Sequence, residues 1–317
     1  MASRHELQDL LLHWTTLLGP QPSLGPELPA RQLWPVTSGD GRKFVLKHVG
    51  PWRNLPLADQ ARILSHLSSS GVLVAPFLVT ENAAVYAGDA DESFVLIPWI
   101  DHDSAPSGRS SEREFLVGGA LAELHVALAN YPWPANSYTE GFLAALASED
   151  LLLPPDLLAD FRRRRESMLA GLTPLSLQLV HGDLTPDNIV VSDAQGRVGF
   201  LDLDHLPLAP RIWDIARYLS RSFRRTVPEQ ALAAVTAVVG GYHRIAPLGE
   251  QEMHALPTMI ATMHLLEASW TRRIMDGDLE RRLLPEQVAE LGSMLDALRW
   301  QFRHPQAVED AVRAPGR

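Results

Sequence analysis

The sequence predicts an α+β fold with a small strand-rich N-terminal lobe and a larger helical C-terminal lobe. Two apolar runs flank the turn "SGDG" within residues 33–49, which is the pattern of a β-hairpin. Residues 93–100, "SFVLIPWI", form an apolar run typical of a buried strand. Helical patterns dominate after the polar stretch 99–110, which contains Gly, Pro and Ser. We therefore divide the chain into lobes at 1–100 and 101–317.

The remaining elements of the first lobe follow from local patterns. Apolar residues at Leu7, Leu10, Leu11, Trp14 and Leu18 predict an amphipathic helix. Charged residues interrupt this segment, so it does not resemble a secretory signal. We also expect a helix over 57–72 and short strands within 75–80 and 83–88.

The second lobe is predicted to be mostly helical. A short strand at 177–180 and a hairpin over 188–204, turning at "DAQG", interrupt the helical patterns. Helices are predicted over 110–130, 139–149, 155–171, 210–224, 228–244, 249–275 and 285–302.

Composition narrows the class of protein. The chain has 317 residues, of which 46% are hydrophobic, so it can bury a sizeable core. Its formal net charge of −10 argues against nucleic acid or an anionic membrane as the main partner. No apolar run reaches the roughly 18 residues of a membrane span. The chain has no cysteine, which fits a reducing compartment, and we expect a cytoplasmic protein.

Two features of the charged residues stand out. Residues 101–317 contain 29 acidic and 21 basic residues, against 9 and 7 in residues 1–100. This acidity either solubilises the surface or favours a cationic ligand. Only two of the 28 basic residues are lysines, Lys43 and Lys47, and a retained lysine can mark a site that needs a compact ammonium group.

Residues 181–188, "HGDLTPDN", suit phosphoryl transfer. This chemistry needs a carboxylate that orients the attacking hydroxyl, oxygen ligands for magnesium and a positive charge for the phosphates. Asp183 and Asn188 lie on this loop, and Asp202 lies at the far end of the following hairpin, which folds back towards Asn188. Lys47 comes from a strand of the other lobe and would reach the phosphates.

The order of motifs resembles the aminoglycoside phosphotransferase and choline kinase-like superfamily, whose fold is similar to that of protein kinases. The octet, the carboxylate after the hairpin and the "WDIA" that follows carry most of the resemblance. The matching motifs are "FVLK" (44–47), "ARILSHL" (61–67), "FVLIPWI" (94–100), "GALAELH" (119–125), "HGDLTPDN" (181–188), "FLDLD" (200–204) and "PRIWDIARYL" (210–219).

The resemblance implies a bilobal protein-kinase-like fold and a role for each matching residue. Asp183 would be the catalytic aspartate, and Asn188 and Asp202 would bind Mg²⁺. Lys47 would contact the phosphates of ATP or GTP. Other residues would support the site or bind the nucleotide: His181 and Asp214 as braces of the loop, Asp204 as an assistant to a second metal or as a local salt bridge, and the backbone of Ile97, Pro98, Trp99 and Ile100 as contacts to the adenine.

Two positions depart from the superfamily pattern. Gln60 occupies the place of the glutamate that usually pairs with the lysine, and it would hydrogen-bond Lys47 without supplying a charge. Pro98 removes a backbone donor from the expected adenine-binding segment.

These observations favour a Mg²⁺-dependent O-phosphotransferase that uses ATP or GTP and acts on a hydroxylated small molecule. An aminoglycoside, an amino sugar or a similar cationic metabolite is the preferred acceptor, with a homoserine- or choline-type substrate as the alternative. Gln60 keeps open a reading of another class, a non-catalytic kinase-fold protein that binds a nucleotide or a partner. A zinc site at His181, Asp183 and His205 matches no standard spacing.

Overall fold

The computed structural model describes residues 3–28, 32–50, 54–88, 92–102, 110–134, 137–148, 150–192, 196–278 and 285–316. The chain divides into two compact units. The first comprises Met1–Ser104, Asn130–Ser137 and Val190–Leu206, and the second comprises Ala105–Ala129, Tyr138–Ile189 and Pro207–Arg317. Within the predicted boundary and the predicted "DAQG" turn, residues 103–109 and 193–195 lie outside the described residues.

A five-stranded antiparallel sheet forms the frame of the first unit. Its order is β1-β2-β3-β6-β5, and the predicted hairpin is its β2–β3 pair. Lys47 lies opposite Val95 on the neighbouring β6. The strands are β1 Ser23–Leu24, β2 Leu33–Thr37, β3 Lys43–Val49, β5 Ala87–Gly88 and β6 Ser93–Pro98.

The N-terminal segment packs on this sheet as three consecutive helical pieces, α1 Arg4–Leu10, a 3₁₀ turn Leu11–Trp14 and α2 Thr15–Leu18. Four of the five predicted apolar positions are buried, since a spacing of three or four residues keeps them on one helix face. Leu10 is the partly buried exception. The Trp14 indole N–H also donates to the Leu78 carbonyl at 2.8 Å, which ties the segment to the sheet.

A second, three-stranded sheet completes the first unit. It has the order β4-β9-β8, with β4 parallel to β9. The predicted strand within 75–80 does not form, because this segment makes only an isolated bridge from Leu78 to Leu96. The elements are α3 Leu57–Ser69, β4 Leu73–Val74, β8 Ile189–Ser192 and β9 Arg197–Phe200.

The second unit is built almost entirely of helices, as the periodicity predicted. The final helix, α11, was not predicted, and Pro257 lies inside α9 without ending it. Strands β7 Gln178–Leu179 and β10 Leu208–Ala209 form a small antiparallel pair. The helices are α4 Ser111–Ala129, α5 Phe142–Ala147, α6 Pro155–Leu172, α7 Ile212–Arg225, α8 Pro228–Ile245, α9 Glu250–Met275, α10 Pro285–Arg303 and α11 Pro305–Arg313. Sheet and helices together confirm the α+β class.

Helices α4 and α8 cross on glycines. A Cβ atom at Gly118 would lie 2.0 Å from the Val238 carbonyl oxygen, and one at Gly241 would lie 1.9 Å from that of Phe115. Real side chains do not tolerate such distances, so the two backbones approach each other only because both residues are glycine. Within the described part of the chain, no helix has the length and apolarity to cross a bilayer.

Candidate active site

The loop that carries Asp183 is fixed by a buried carboxylate on α7. Oδ2 of Asp214 accepts the His181 backbone N–H at 2.7 Å, and Oδ1 accepts that of Gly182 at 2.9 Å. Gly182 has a φ of +85°, a conformation that glycine adopts without steric cost. The loop ends in a 3₁₀ turn, Pro186–Asn188, that leads into β8. Asp214 therefore holds the loop backbone in place.

Asp214 is itself held from α4 and α8. Nε2 of His125 lies 3.0 Å from Asp214 Oδ2, and Nδ1 of the same ring lies 2.8 Å from the hydroxyl of Tyr242. Burial acts to raise the pKa of Asp214, but His125, His181 and the backbone N–H groups outweigh it and lower the pKa. The fully buried carboxylate is therefore ionised, with its charge shared among several donors.

Asp183 points its carboxylate towards α7. Arg217 donates from Nε to Oδ1 of Asp183 at 2.9 Å, and its Nη2 donates to the same oxygen. The Asp183 side chain stays 33% exposed. Its backbone is tied to the end of the loop, since Nδ2 of Asn188 donates to the Asp183 carbonyl at 2.9 Å.

Arg217 belongs to a chain of alternating charges. Its Nη1 lies 2.5 Å from Oε1 of Glu267 on α9, and Oε2 of Glu267 pairs with the fully buried Arg224. Burial disfavours an ionised Glu267, but Arg217, Arg224 and Arg221 outweigh it and lower its pKa to about 2. Burial likewise lowers the pKa of Arg224, to about 10, which still leaves it protonated at neutral pH. Arg217, Glu267 and Arg224 are thus all charged at neutral pH.

In the first unit, Lys47 contacts two carboxylates of the segment after β9. Its Nζ lies 2.8 Å from Oδ1 of Asp202 and 2.7 Å from Oδ2 of Asp204. Burial acts to lower the pKa of Lys47, whose side chain is 13% exposed, but Asp204 and Asp202 reverse this and raise it. Asp202 has a φ of +55°, a conformation that costs a non-glycine residue about 1–3 kcal/mol and persists only where the surroundings hold it. Lys47 is one such surrounding group.

Gln60 does not hydrogen-bond Lys47, which corrects our expectation. Its Nε2 donates to Oδ1 of Asp204 at 2.6 Å and to the Leu203 carbonyl at 3.1 Å. Both oxygens of Asp204 are therefore engaged, one by Lys47 and one by Gln60. Lys47 and Gln60 are thus joined through Asp204 and not directly to each other.

The expected adenine-binding segment uses part of its backbone within the sheet. Trp99 donates its N–H to the Lys43 carbonyl at 3.1 Å, and Ile97 lies opposite Val45 in the same register. Because hydrogen-bonding groups alternate in direction along an antiparallel strand, the carbonyl of Pro98 faces away from β3. The backbones of Ile97 and Trp99 are thus engaged in the sheet, and the contact of this segment with the adenine stays a prediction.

The second unit brings His181, Asp183, Asn188 and Asp214 together, and the first brings Lys47, Gln60, Asp202 and Asp204 together. Among the described residues, no group of three or more His, Asp and Glu side chains is arranged to hold a metal ion. His181 is fully buried, and its Nδ1 accepts the backbone N–H of Asp183 at an N···N distance of 3.4 Å.

Arg217 and Glu267 were missed by the sequence analysis. A signal for Arg217 did exist, because Arg217 follows Asp214 by three residues and such pairs share one helix face. The helix that holds the loop backbone through Asp214 therefore also presents Arg217 to the loop. Glu267 had no comparable signal, since it lies 50 residues further along the chain.

Comparisons with known proteins identify the family of this chain. Residues 31–248 match the model of the phosphotransferase enzyme family, APH. Homoserine kinase of Neisseria meningitidis serogroup B is 25% identical over 214 residues, covering 67% of this chain and 69% of that protein.

Two solved structures share the fold. A microcompartment-associated aminopropanol kinase has a TM-score of 0.74 at 15% identity, covering 97% of this chain and 99% of the other. Amicoumacin kinase hAmiN in complex with AMP-PNP, Ca²⁺ and Ami has a TM-score of 0.69 at 16% identity, covering 96% and 94%. The bilobal protein-kinase-like fold is thereby confirmed, with its β-rich N-lobe and helical C-lobe. The chain belongs to the phosphotransferase enzyme family and is a small-molecule kinase whose acceptor is a hydroxyl group.

Proposed function

We propose that the chain transfers the γ-phosphoryl group of ATP or GTP to a hydroxylated small molecule in the cytoplasm, with Mg²⁺ as cofactor. The supporting observation is the state of Asp183. Its loop backbone is held by the buried Asp214, whereas its own carboxylate remains one-third exposed and keeps one oxygen, Oδ2, without a hydrogen bond among the described residues. A fixed carboxylate with an accessible oxygen suits the orientation of an acceptor hydroxyl.

Asp183 would accept the proton of that hydroxyl. The acceptor oxygen forms a new bond to the γ-phosphorus while the bond from this phosphorus to the β,γ-bridging oxygen breaks. The electron pair of that bond leaves with the nucleoside diphosphate. The hydroxyl proton moves to Asp183 and then to water. Most of the catalysis in such a transfer is positioning, which is what the braced loop supplies.

Asn188 and Asp202 would provide oxygen ligands for the cation, and the donor set fits it. Nδ2 of Asn188 is fixed on the Asp183 carbonyl, so its amide oxygen is the atom left to bind a ligand. Asp202 adds a carboxylate, and Mg²⁺ prefers few protein ligands, all of them oxygen. A bound Mg²⁺ would neutralise charge on the phosphate oxygens.

Lys47 would contact the phosphates of the nucleotide while Asp204 holds it in position. Because Gln60 and Lys47 occupy both oxygens of Asp204, we assign Asp204 to the positioning of Lys47 and not to a second metal. For the adenine, the strand register favours the Pro98 carbonyl as acceptor and the Ile100 N–H as donor, in place of the whole segment.

For the acceptor we propose an aminoglycoside, an amino sugar or a similar metabolite. The excess of acidic residues in 101–317 favours a cationic molecule. Glu140, whose pKa is raised by burial against the opposing effect of Arg217, is a carboxylate that an ammonium group would stabilise. The similarity to a homoserine kinase keeps a homoserine-type acceptor as the second candidate.

We expect ATP or GTP to raise the melting temperature in the presence of Mg²⁺, and nucleotide to be consumed with at least one acceptor. Because the cation would bridge protein and phosphates, EDTA should remove both effects. The measurement is thermal shift with each nucleotide, followed by coupled detection of ADP or GDP over a panel of aminoglycosides, amino sugars, homoserine, choline and aminopropanol. Nucleotide binding that ignores Mg²⁺, with no turnover on any acceptor, would instead support the non-catalytic reading.

Gln60→Glu should weaken binding of Mg·ATP about tenfold, equivalent to about 1.4 kcal/mol. The substitution replaces a donor that lies 2.6 Å from Asp204 with a second carboxylate, and like charges at this distance repel. Isothermal titration calorimetry measures the effect, with the exposed Gln230→Glu as control. Unchanged or tighter binding would show that residue 60 faces Lys47 when the nucleotide is bound.

A further inference from the structure

We infer that Arg217 is a positioning residue for Asp183, which fixes one oxygen of its carboxylate and turns the other towards the acceptor hydroxyl. This inference rests on the proposed function of Asp183. It starts from the unusual way in which the two side chains meet. Nε and Nη2 of Arg217 both donate to Oδ1 of Asp183, and Oδ2 accepts no hydrogen bond among the described residues.

The geometry differs from the common pairing of arginine with a carboxylate. In that pairing two parallel N–H groups reach two different oxygens, so that both are occupied. Such an arrangement at Asp183 would compete with the acceptor. Convergence on a single oxygen holds the carboxylate by one side only and leaves the other side for chemistry.

Arg217 can hold this position because its remaining end is anchored. Nη1 of Arg217 contacts Oε1 of Glu267 at 2.5 Å, and the other oxygen of Glu267 pairs with Arg224, whose side chain is completely buried. A guanidinium that is bonded at both ends loses its freedom to rotate away from Asp183. Glu267 and Arg224 thus make Arg217 a rigid support.

Charge balance also favours positioning over binding of an anionic acceptor. Glu267 and Asp183 both neutralise Arg217, and burial, which would lower the pKa of the guanidinium, is outweighed by these two carboxylates, so the pKa is raised. An acceptor carboxylate or phosphate would have to displace one of them. We therefore assign Arg217 to the catalytic aspartate and not to the acceptor.

The test is the kinetics of Arg217→Met and Arg217→Lys with an acceptor identified by the panel. Arg217→Met should lower kcat about 10- to 100-fold with the KM for nucleotide within about twofold, because only the orientation of the general base changes. Arg217→Lys, which keeps one charged donor for Oδ1, should recover part of the loss. Arg225→Met is the matched control, since Arg225 lies on the same helix and also binds a carboxylate, that of Glu290, at 2.7 Å.

A kcat of Arg217→Met equal to wild type, or a loss that Arg225→Met reproduces, would overturn the inference while leaving the proposed function intact. If wild type turns over no acceptor, the proposed function fails and the inference fails with it.

A double-mutant cycle separates the pair from general stability. Urea denaturation gives the factor by which Arg217→Met raises the unfolding equilibrium constant, first in wild type and then in the Asp183→Ala variant. This factor should be at least about threefold smaller in the Asp183→Ala variant. Additive effects would show that the pair does not form in solution, which would also overturn the inference.

Discussion

Replacement of Asp183 by asparagine should lower turnover by about 10²–10⁴-fold and leave nucleotide binding unchanged, as expected when a general base is removed. Asparagine has nearly the same shape, and its carbonyl oxygen still accepts hydrogen bonds from Arg217. Its amide cannot take the acceptor proton. The measurement is kcat with the best acceptor, together with the shift in melting temperature on addition of Mg·ATP.

Asp187→Asn is the control for this prediction, because Asp187 lies in the same octet and is exposed. It should keep kcat within about twofold of wild type, as surface substitutions usually have small effects. If Asp183→Asn instead unfolds the protein, Asp183 is a structural residue held by Arg217, and the assignment of the catalytic base is wrong.

Replacement of Asp214 by asparagine should lower the free energy of unfolding by about 3 kcal/mol, the usual cost of leaving buried donors without a charged acceptor. Oδ2 accepts from the His181 backbone and lies 3.0 Å from His125, whereas Oδ1 accepts from Gly182. An amide can satisfy one of these sides and presents a donor to the other. Urea denaturation measures the loss.

Asp296→Asn controls for the loss of a surface carboxylate. Asp296 is 78% exposed and pairs with Arg299 at 3.0 Å, so its replacement should cost at most about 1 kcal/mol. An Asp214→Asn variant that is as stable as wild type yet inactive would indicate that Asp214 meets the substrate and does not brace the loop.

Most of the fold follows from local patterns in the sequence. The apolar spacing on α4 and the "SGDG" turn between β2 and β3 depend only on residues close together in the sequence. Both elements were therefore predicted with nearly their observed bounds. Strand β4 was missed because two residues give no periodicity. Its existence depends on the pairing of Leu73 with Gly199, which lies far away in sequence.

The candidate site divides in the same way. The loop residues Asp183 and Asn188 follow from one octet, but the partner of Gln60 does not, because it depends on contacts across about 140 residues of chain. The sequence position of Gln60 suggested Lys47 as its hydrogen-bond partner, whereas in the structure this partner is Asp204. The pairing of Arg217 with Glu267 is likewise a product of how α7 and α9 pack.

The crossing of α4 and α8 at their glycines also affects the residues that hold Asp214. Gly118 lies two turns before His125 on α4, and Gly241 directly precedes Tyr242 on α8. The closeness of the two backbones therefore allows the imidazole of His125 to contact both the hydroxyl of Tyr242 and the carboxylate of Asp214. A side chain larger than hydrogen at either glycine would push the two helices apart and so displace His125, Tyr242 and the Asp214 carboxylate that holds the loop of Asp183.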